Sequence, residues 1–270
     1  GLQTHNINQQ RTAWARKAGT FRDTGPYFYF VGCLPFFDVT FRYLNLAPLN
    51  SARSMLKLLN KMGIEPVISD HERCCGHDAL WCGDHKTFRK LAEWNLEVIK
   101  ASGAQTVLFS CPEGFVTFKN YYPKYFGVLP FEVLHMTEFL ARELPETDLT
   151  FHISSSQRVT YHDPCRLGRL AGIYEAPRQL IEMLPEIKLV EMERNRENAL
   201  CCGTSAWMEC ANHSKAIQTE RMQEALQTGA QTLITACPKC QIHFTCARSD
   251  TEINLKVTDL YTFLAGSLKK

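Results

Sequence analysis

The sequence predicts an α/β protein of two tandem, pseudo-repeated, Rossmann-like halves, each an open parallel sheet with a cysteine site at the carboxyl ends of its strands. Three observations predict it. Strand-like apolar runs alternate with helical patterns, a cysteine follows each of four such runs, and the cysteine spacing recurs once along the 270 residues.

Residues 1–26 come first and read as an N-terminal extension or linker. Tyr27 to Gly32 is an apolar strand ending at Cys33. Asn50 to Met62 and Asp84 to Ser102 carry helical periodicity and are closed by Gly63 and Gly103, glycine being the residue that most easily takes the left-handed turn after a helix. Thr106 to Ser110 is a second strand, ending at Cys111, and Pro112 opens a helix where its missing N–H is no loss. The segment Glu146 to Gln157, with Ser154-Ser155-Ser156, divides a unit at 27–150 from one at 151–270. Arg158 to His162 is the next strand, preceding Cys165. His213 to Thr228 is helical and closed by Gly229, and Gln231 to Ala236 is a strand that ends at Cys237, with Pro238 opening the last helix. Helices beginning at Pro112 and Pro238 would aim their N-terminal amides at the edge where the cysteines stand, an arrangement that stabilises thiolates and anionic clusters.

With 45% hydrophobic and 21% charged residues the chain can bury two cores of ordinary domain size. A net charge of +2, with basic residues spread among acidic ones, gives no electrostatic footprint for nucleic acid. No apolar run approaches the length of a membrane span and no apolar stretch suited to secretion opens the chain, so a cytoplasmic protein is expected.

Twelve cysteines exceed ordinary intracellular usage. Their spacing argues for metal ligation over disulfides: Cys74-Cys75 and Cys201-Cys202 are adjacent pairs, poor geometry for bonding within a pair, and each leads into glycine. Cys33, Cys74-Cys75-Gly76 and Cys111-Pro112 match Cys165, Cys201-Cys202-Gly203 and Cys237-Pro238; Cys75 to Cys111 is 36 positions and Cys202 to Cys237 is 35. The unit is duplicated. The second copy adds Cys240, making five candidate ligands where a structural zinc or a cubane cluster takes four, so either an unusual cluster or a zinc site with a bystander thiol is open at this point. Cys210 and Cys246 fall outside the repeat and read as structural.

The stretch His162-Asp163-Pro164-Cys165-Arg166-Leu167-Gly168-Arg169, with Ile173-Tyr174, Ala176-Pro177-Arg178, Arg196-Glu197-Asn198, Leu200-Cys201-Cys202-Gly203 and Cys237-Pro238-Lys239-Cys240, resembles the cysteine-rich catalytic region of heterodisulfide reductase and its relatives, the CCG-domain iron–sulfur proteins. The resemblance spans nearly the whole chain. It implies that Cys165, Cys201, Cys202, Cys237 and Cys240 bind a noncubane [4Fe–4S] cluster at which a disulfide is cleaved in one-electron steps. In the first half Cys33, Cys74, Cys75 and Cys111 match, but the fifth cysteine is replaced in Cys111-Pro112-Glu113-Gly114. That leaves an altered iron–sulfur cluster, a zinc ion or no metal for the first site, with Cys82 either a buried bystander or a substitute ligand and His71 and His77 flanking the pair.

Around the second site Arg166, Arg169 and Lys239 would raise the potential of an anionic cluster and attract acidic substrates, while His162 and Asp163 would donate or relay protons. Asp163 could equally cap the turn before Pro164. Substrates implied by the resemblance are small disulfides or thiols, or protein-bound sulfur; electron relay for a flavin dehydrogenase or quinone-linked complex is the other redox role, and a structural zinc module the reading from another class. Arg11-Thr12-Ala13-Trp14 resembles the linker that follows a ferredoxin-like domain in such relatives, yet no Cys-x-x-Cys-x-x-Cys run is present. Electrons are therefore expected from a partner, whether a ferredoxin-like domain, a flavoprotein or a membrane cytochrome b that holds the chain peripherally at the cytoplasmic face.

Overall fold

The computed structural model describes residues 10–204, 211–251 and 253–269; Cys210 and residues 1–9 of the expected extension lie outside them. Two all-parallel sheets carry the fold. In the first half β1 (Tyr27–Phe30) is followed by helices α1 (Leu34–Thr40), α2 (Leu49–Lys61), α3 (His77–Trp81) and α4 (His85–Ser102), then by β2 (Thr106–Phe109), α5 (Pro112–Val116), α6 (Tyr122–Phe126), β3 (Glu132–His135) and α7 (Met136–Glu143). The second half runs β4 (Gln157–His162), α8 (Glu175–Glu182), β5 (Ile187–Leu189), α9 (Asn212–Gln227), β6 (Thr232–Thr235), α10 (Pro238–Asp250), β7 (Lys256–Asp259) and α11 (Leu260–Gly266).

Strand order is β1-β2-β3 in the first sheet and β5-β4-β6-β7 in the second. The two are the same plan. Where β5 flanks β4, the first half has only a parallel bridge between Phe28 and Val67. Register pairs Tyr27 with Thr106 and Thr106 with Glu132, and in the second sheet Val159 with Thr232 and Thr232 with Lys256. The carboxyl ends of neighbouring strands are therefore level, and the loops that leave them share one edge. Parallel strands buried on both faces need apolar runs rather than alternation, which Phe28, Tyr29 and Phe30 and then Val107, Leu108 and Phe109 supply.

The predicted helices form with the expected punctuation: Asp84 accepts from Thr87 N to cap α4, Gly103 ends it at φ 73°, and Pro112 and Pro238 open α5 and α10. The halves pack through α2 on α11 and α7 on α8, and one apolar core crosses between them. Residues 147–156 hold neither helix nor strand beyond a bridge from Phe151 to Leu268. The segment before β1 is built into the first half: Trp14 and Ala15 are buried in its core, and Arg11 reaches the turn after β1. Among the described residues no helix is long and apolar enough to cross a membrane.

Candidate metal centre

Each Cys-Cys-Gly turn is shaped by its glycine. Gly76 and Gly203 sit at φ 85° and 82°, the left-handed region that side chains resist. A Cβ on Gly76 would stand 2.8 Å from the Phe88 ring, and one on Gly203 2.6 Å from Ser214 O. In this turn the glycine N–H donates to the first thiol of the pair, Gly76 N to Cys74 Sγ at 3.5 Å and Gly203 N to Cys201 Sγ at 3.4 Å. Neighbouring thiols, Cys33 and Cys75 in one half and Cys165 and Cys202 in the other, act on it as proton donors that favour its ionised form. Those donors pull Cys74 and Cys201 well below the ordinary thiol range in spite of burial, while the donating Cys33 and Cys165 are pushed up. A thiolate is thus stabilised at the centre of each site before any metal is considered.

In the second half Cys202 Sγ and Cys240 Sγ lie within 4.8 Å of each other, and Cys165, Cys201 and Cys237 share their cavity wall. The five line a cavity of about 320 Å³ together with Arg166, Arg169, Thr204 and Lys239. Thr204 Oγ1 lies 2.9 Å from Cys202 Sγ. No disulfide joins any described cysteine. Five converging soft donors, one already favoured as thiolate, suit an iron–sulfur cluster better than a four-coordinate zinc.

The first half is closed by comparison. Cys33, Cys74, Cys75 and Cys111 surround only about 20 Å³ of space, roughly one water's worth. Two matched exchanges explain the difference. Gly114 stands where the second half has Cys240, and Phe109 where it has Thr235. A Cβ on Gly114 would meet the Phe109 ring at 3.2 Å, so the ring fills the space that the small Thr235 leaves for Cys240. Cys82, expected as a buried bystander or a substitute ligand, is instead exposed at the end of α3, hydrogen-bonded to Ala79 O and absent from the cavity wall. The short helix turns its side chain outward. His71 is also exposed, whereas His77 is buried and lines the cavity.

The turn after β1 is pinned from beneath. Glu72 accepts from Val31 N at 2.9 Å, Gly32 N at 2.7 Å and Arg11 Nη2 at 2.7 Å, and Asn95 Nδ2 and Tyr122 Oη hold the carbonyls of Cys74 and Cys75. Asp163 does the corresponding work after β4. Arg178 grips both its oxygens at 2.7 and 2.9 Å, and Arg196 N donates at 2.8 Å. The carboxylate, expected either to relay protons or to cap the turn, is buried, takes three hydrogen bonds and does not line the cavity. His162 is buried too, its imidazole held well below its ordinary range by burial and then by Arg221.

The three cations divide their tasks. Arg169 Nη1 donates to Glu197 O at 3.2 Å and Ala199 O at 2.6 Å, fixing the strap that leads into Cys201. Arg166 lies 3.8 Å over the Trp81 ring of the first half. Lys239 borders both cavities but turns away from the second-half thiols to reach Glu113 Oε2 at 2.6 Å and Asp78 Oδ1 at 3.0 Å. Glu113 and Lys239 occupy the same position of the repeat, between Cys-Pro and the fifth-ligand site. The duplicated corners therefore meet as an oppositely charged pair. His77, Asp78 and Glu113 have ligand atoms within 4.8 Å of one another, and the Lys239 ammonium already supplies their cation.

Comparison with known proteins identifies the family of the cysteine pattern. The model of the CCG cysteine-rich domain matches residues 27–119 and 159–245. The chain is 34% identical over 277 residues to a dihydromethanophenazine:CoB–CoM heterodisulfide reductase subunit of Methanosarcina acetivorans, covering 98% of this chain and 66% of that protein. It is 28% identical to the EtfAB:quinone oxidoreductase of Syntrophomonas wolfei, covering 87% of this chain and 35% of that one. Among solved structures, Picrophilus torridus aspartate racemase matches with a TM-score of 0.38 at 14% identity, over 91% of this chain and 97% of that one. The chain spans 63 to 66% of the length of the reductase subunits it matches.

Proposed function

The chain belongs to the CCG cysteine-rich domain family, and from that premise we propose that it is an iron–sulfur oxidoreductase acting on a disulfide–dithiol pair. Its second half, 151–270, would hold a noncubane [4Fe–4S] cluster on Cys165, Cys201, Cys202, Cys237 and Cys240, while the first half, 27–150, supports and closes the site. The observation that carries this reading is the convergence of five cysteines on one cavity wall. Such a cluster, when bound, supplies or accepts single electrons, two of which with two protons convert a disulfide into two thiols.

The chain's own residues prepare the place. Gly203 N–H holds charge on Cys201, Arg169 fixes the approach to it, and the Arg166 guanidinium clamped on Trp81 ties the halves together at the mouth. Arg166 and Arg169 leave the cavity positive, which favours an anionic sulfur substrate. Neither His162 nor Asp163 lines it, so neither is placed to hand a proton to a released thiolate. Electrons would come from a partner, a ferredoxin-like domain, a flavoprotein or a membrane cytochrome b, in keeping with relatives named as a reductase subunit and an EtfAB:quinone oxidoreductase; association with such a partner would place the chain in the cytoplasm, peripherally at a membrane.

Electron relay without a sulfur substrate is the second reading, favoured by the quinone-linked relative. Anaerobic electron paramagnetic resonance of the oxidised protein separates the two. A new signal on addition of a thiol or disulfide supports catalysis here; silence towards every thiol and disulfide tried leaves relay.

A further inference from the structure

A buried polar atom without a partner marks a place that something else satisfies, and His162 Nε2 is such an atom. His162 ends β4 at 1% exposure, and one of its ring nitrogens and the Sγ atoms of Cys202 and Cys240 all lie within 4.8 Å of one another. Its Nδ1 faces Arg221 Nε at 3.2 Å. A guanidinium has no acceptor, so Nδ1 carries the lone pair and the neutral ring bears its hydrogen on Nε2. The geometry is held from several sides. Arg221 is fully buried and donates through Nη1 to Arg194 O at 2.8 Å and Glu224 Oε2 at 2.7 Å, and the Phe244 ring meets the imidazole edge-on at 4.8 Å.

A histidine that coordinates a metal shows the reverse pattern: it gives one nitrogen to the ion and donates the other N–H to a carboxylate, carbonyl or water. Here the second nitrogen meets a donor. Coordination through Nε2 would require the ring to give up its only hydrogen beside a buried cation's N–H. We infer that His162 is neither a ligand nor a proton shuttle but holds a free N–H ready to donate to sulfur of a cluster bound at the second-half site, raising its reduction potential, with Arg221 as the positioning residue that sets the tautomer. The inference rests on the iron–sulfur reading above and deepens it. The repeat supplies a control within the same chain: three positions before Cys33, where the second half has His162, stands Phe30, which offers no N–H.

The direction follows from charge. A hydrogen bond to a sulfur that gains negative charge on reduction stabilises the reduced state more than the oxidised one. In protein purified anaerobically with its iron and sulfide, His162→Leu should leave both contents unchanged and lower the one-electron reduction equilibrium constant about tenfold, which is about 59 mV. His162→Gln, which carries an N–H to a similar reach, should recover most of that change. An unchanged potential in His162→Leu at full iron content overturns the inference. A second measurement is independent of whether the variants fold: pulsed paramagnetic resonance of wild-type protein labelled with ¹⁵N-histidine should show only weak, non-bonded nitrogen coupling. Strong coupling from a directly bound nitrogen overturns the inference. Failure of the underlying reading is visible earlier and separately, as wild-type protein without iron or sulfide.

Discussion

Removing the charge of Lys239 should destabilise the protein by far more than a surface ion pair is worth. Its ammonium stands 2.6 Å from Glu113 Oε2, with side-chain exposures of 4% and 11%. Lys239→Met leaves the Glu113 carboxylate only the more distant His77 Nδ1, at 3.5 Å, and breaking a buried pair from one side costs about 3–5 kcal/mol. Asp78, 38% exposed and still hydrogen-bonded to His77 at 2.8 Å, is left to solvent and adds little. Glu113→Gln should be milder, about 1–3 kcal/mol, because Lys239 keeps Asp78. The double variant should fall short of the sum by about 2 kcal/mol, the signature of direct coupling. Burial pushes the Asp78 carboxyl up, but the His77 hydrogen bond and the Lys239 charge outweigh it and bring it from 3.8 to about 2; the Lys239 ammonium is raised above its ordinary 10.5 by the two carboxylates despite burial. A depressed carboxyl stabilises above 3.8 and fails as pH falls towards 2, and a raised ammonium stabilises below 10.5 and fails as pH rises past its shifted value. Between those limits the contribution is flat, so urea unfolding followed by circular dichroism at neutral pH reads it cleanly, and high salt should leave the coupling largely intact. A Lys239→Met penalty below about 1 kcal/mol, or strictly additive single variants, would refute the reasoning.

Three further outcomes are expected. Burial and the Lys119 charge hold His135 down from 6.5 to about 3, so the unfolded chain takes up a proton that the folded chain refuses; stability is lost as pH falls from 6.5 towards 3, by up to about 1.4 kcal/mol per pH unit. His135→Asn, which keeps an acceptor for the Thr137 N–H, should remove one proton's worth of that slope from the urea midpoint, and an unchanged slope counts against the assignment. Gly114→Cys alone should be overpacked against Phe109 by about 1–3 kcal/mol, whereas Phe109→Thr with Gly114→Cys should raise iron bound per chain; iron gained by the single variant would show that the ring is no obstacle. Cys82→Ser, at an exposed position, should change stability by less than about 0.5 kcal/mol and iron content not at all, and lost iron would return Cys82 to the ligand set.

The strands and helices that carry the cysteines were legible because their signals are local. Tyr27 to Phe30 and Thr232 to Thr235 are apolar runs, and Pro112 and Pro238 announce helix starts. The strands Glu132–His135, Ile187–Leu189 and Lys256–Asp259 carry no such signal. They are three or four residues long, lie beside the central strands at or towards the sheet margins, and expose Glu132, Lys188 and Lys256, so they read as loops. The five-cysteine site was legible as a set; the use of its surroundings was not. Arg221 lies in a helix whose apolar residues gather on no single face, and nothing local marks it as the partner of His162, 59 positions away. The Glu113–Lys239 contact was within reach. Aligning the two Cys-Pro corners sets an acid opposite a base, a complementarity that two touching copies of one motif would use.

The central claim is that the second half holds an iron–sulfur cluster on its five cysteines, and metal and acid-labile sulfide analysis of the anaerobically purified chain, beside that of Cys240→Ser and with paramagnetic resonance of both oxidised proteins, tests it most directly. Iron and sulfide in equal amounts, at least about four of each per chain, with a resonance altered by Cys240→Ser, is the result predicted. Zinc without sulfide, or a resonance indifferent to the loss of Cys240, would contradict it.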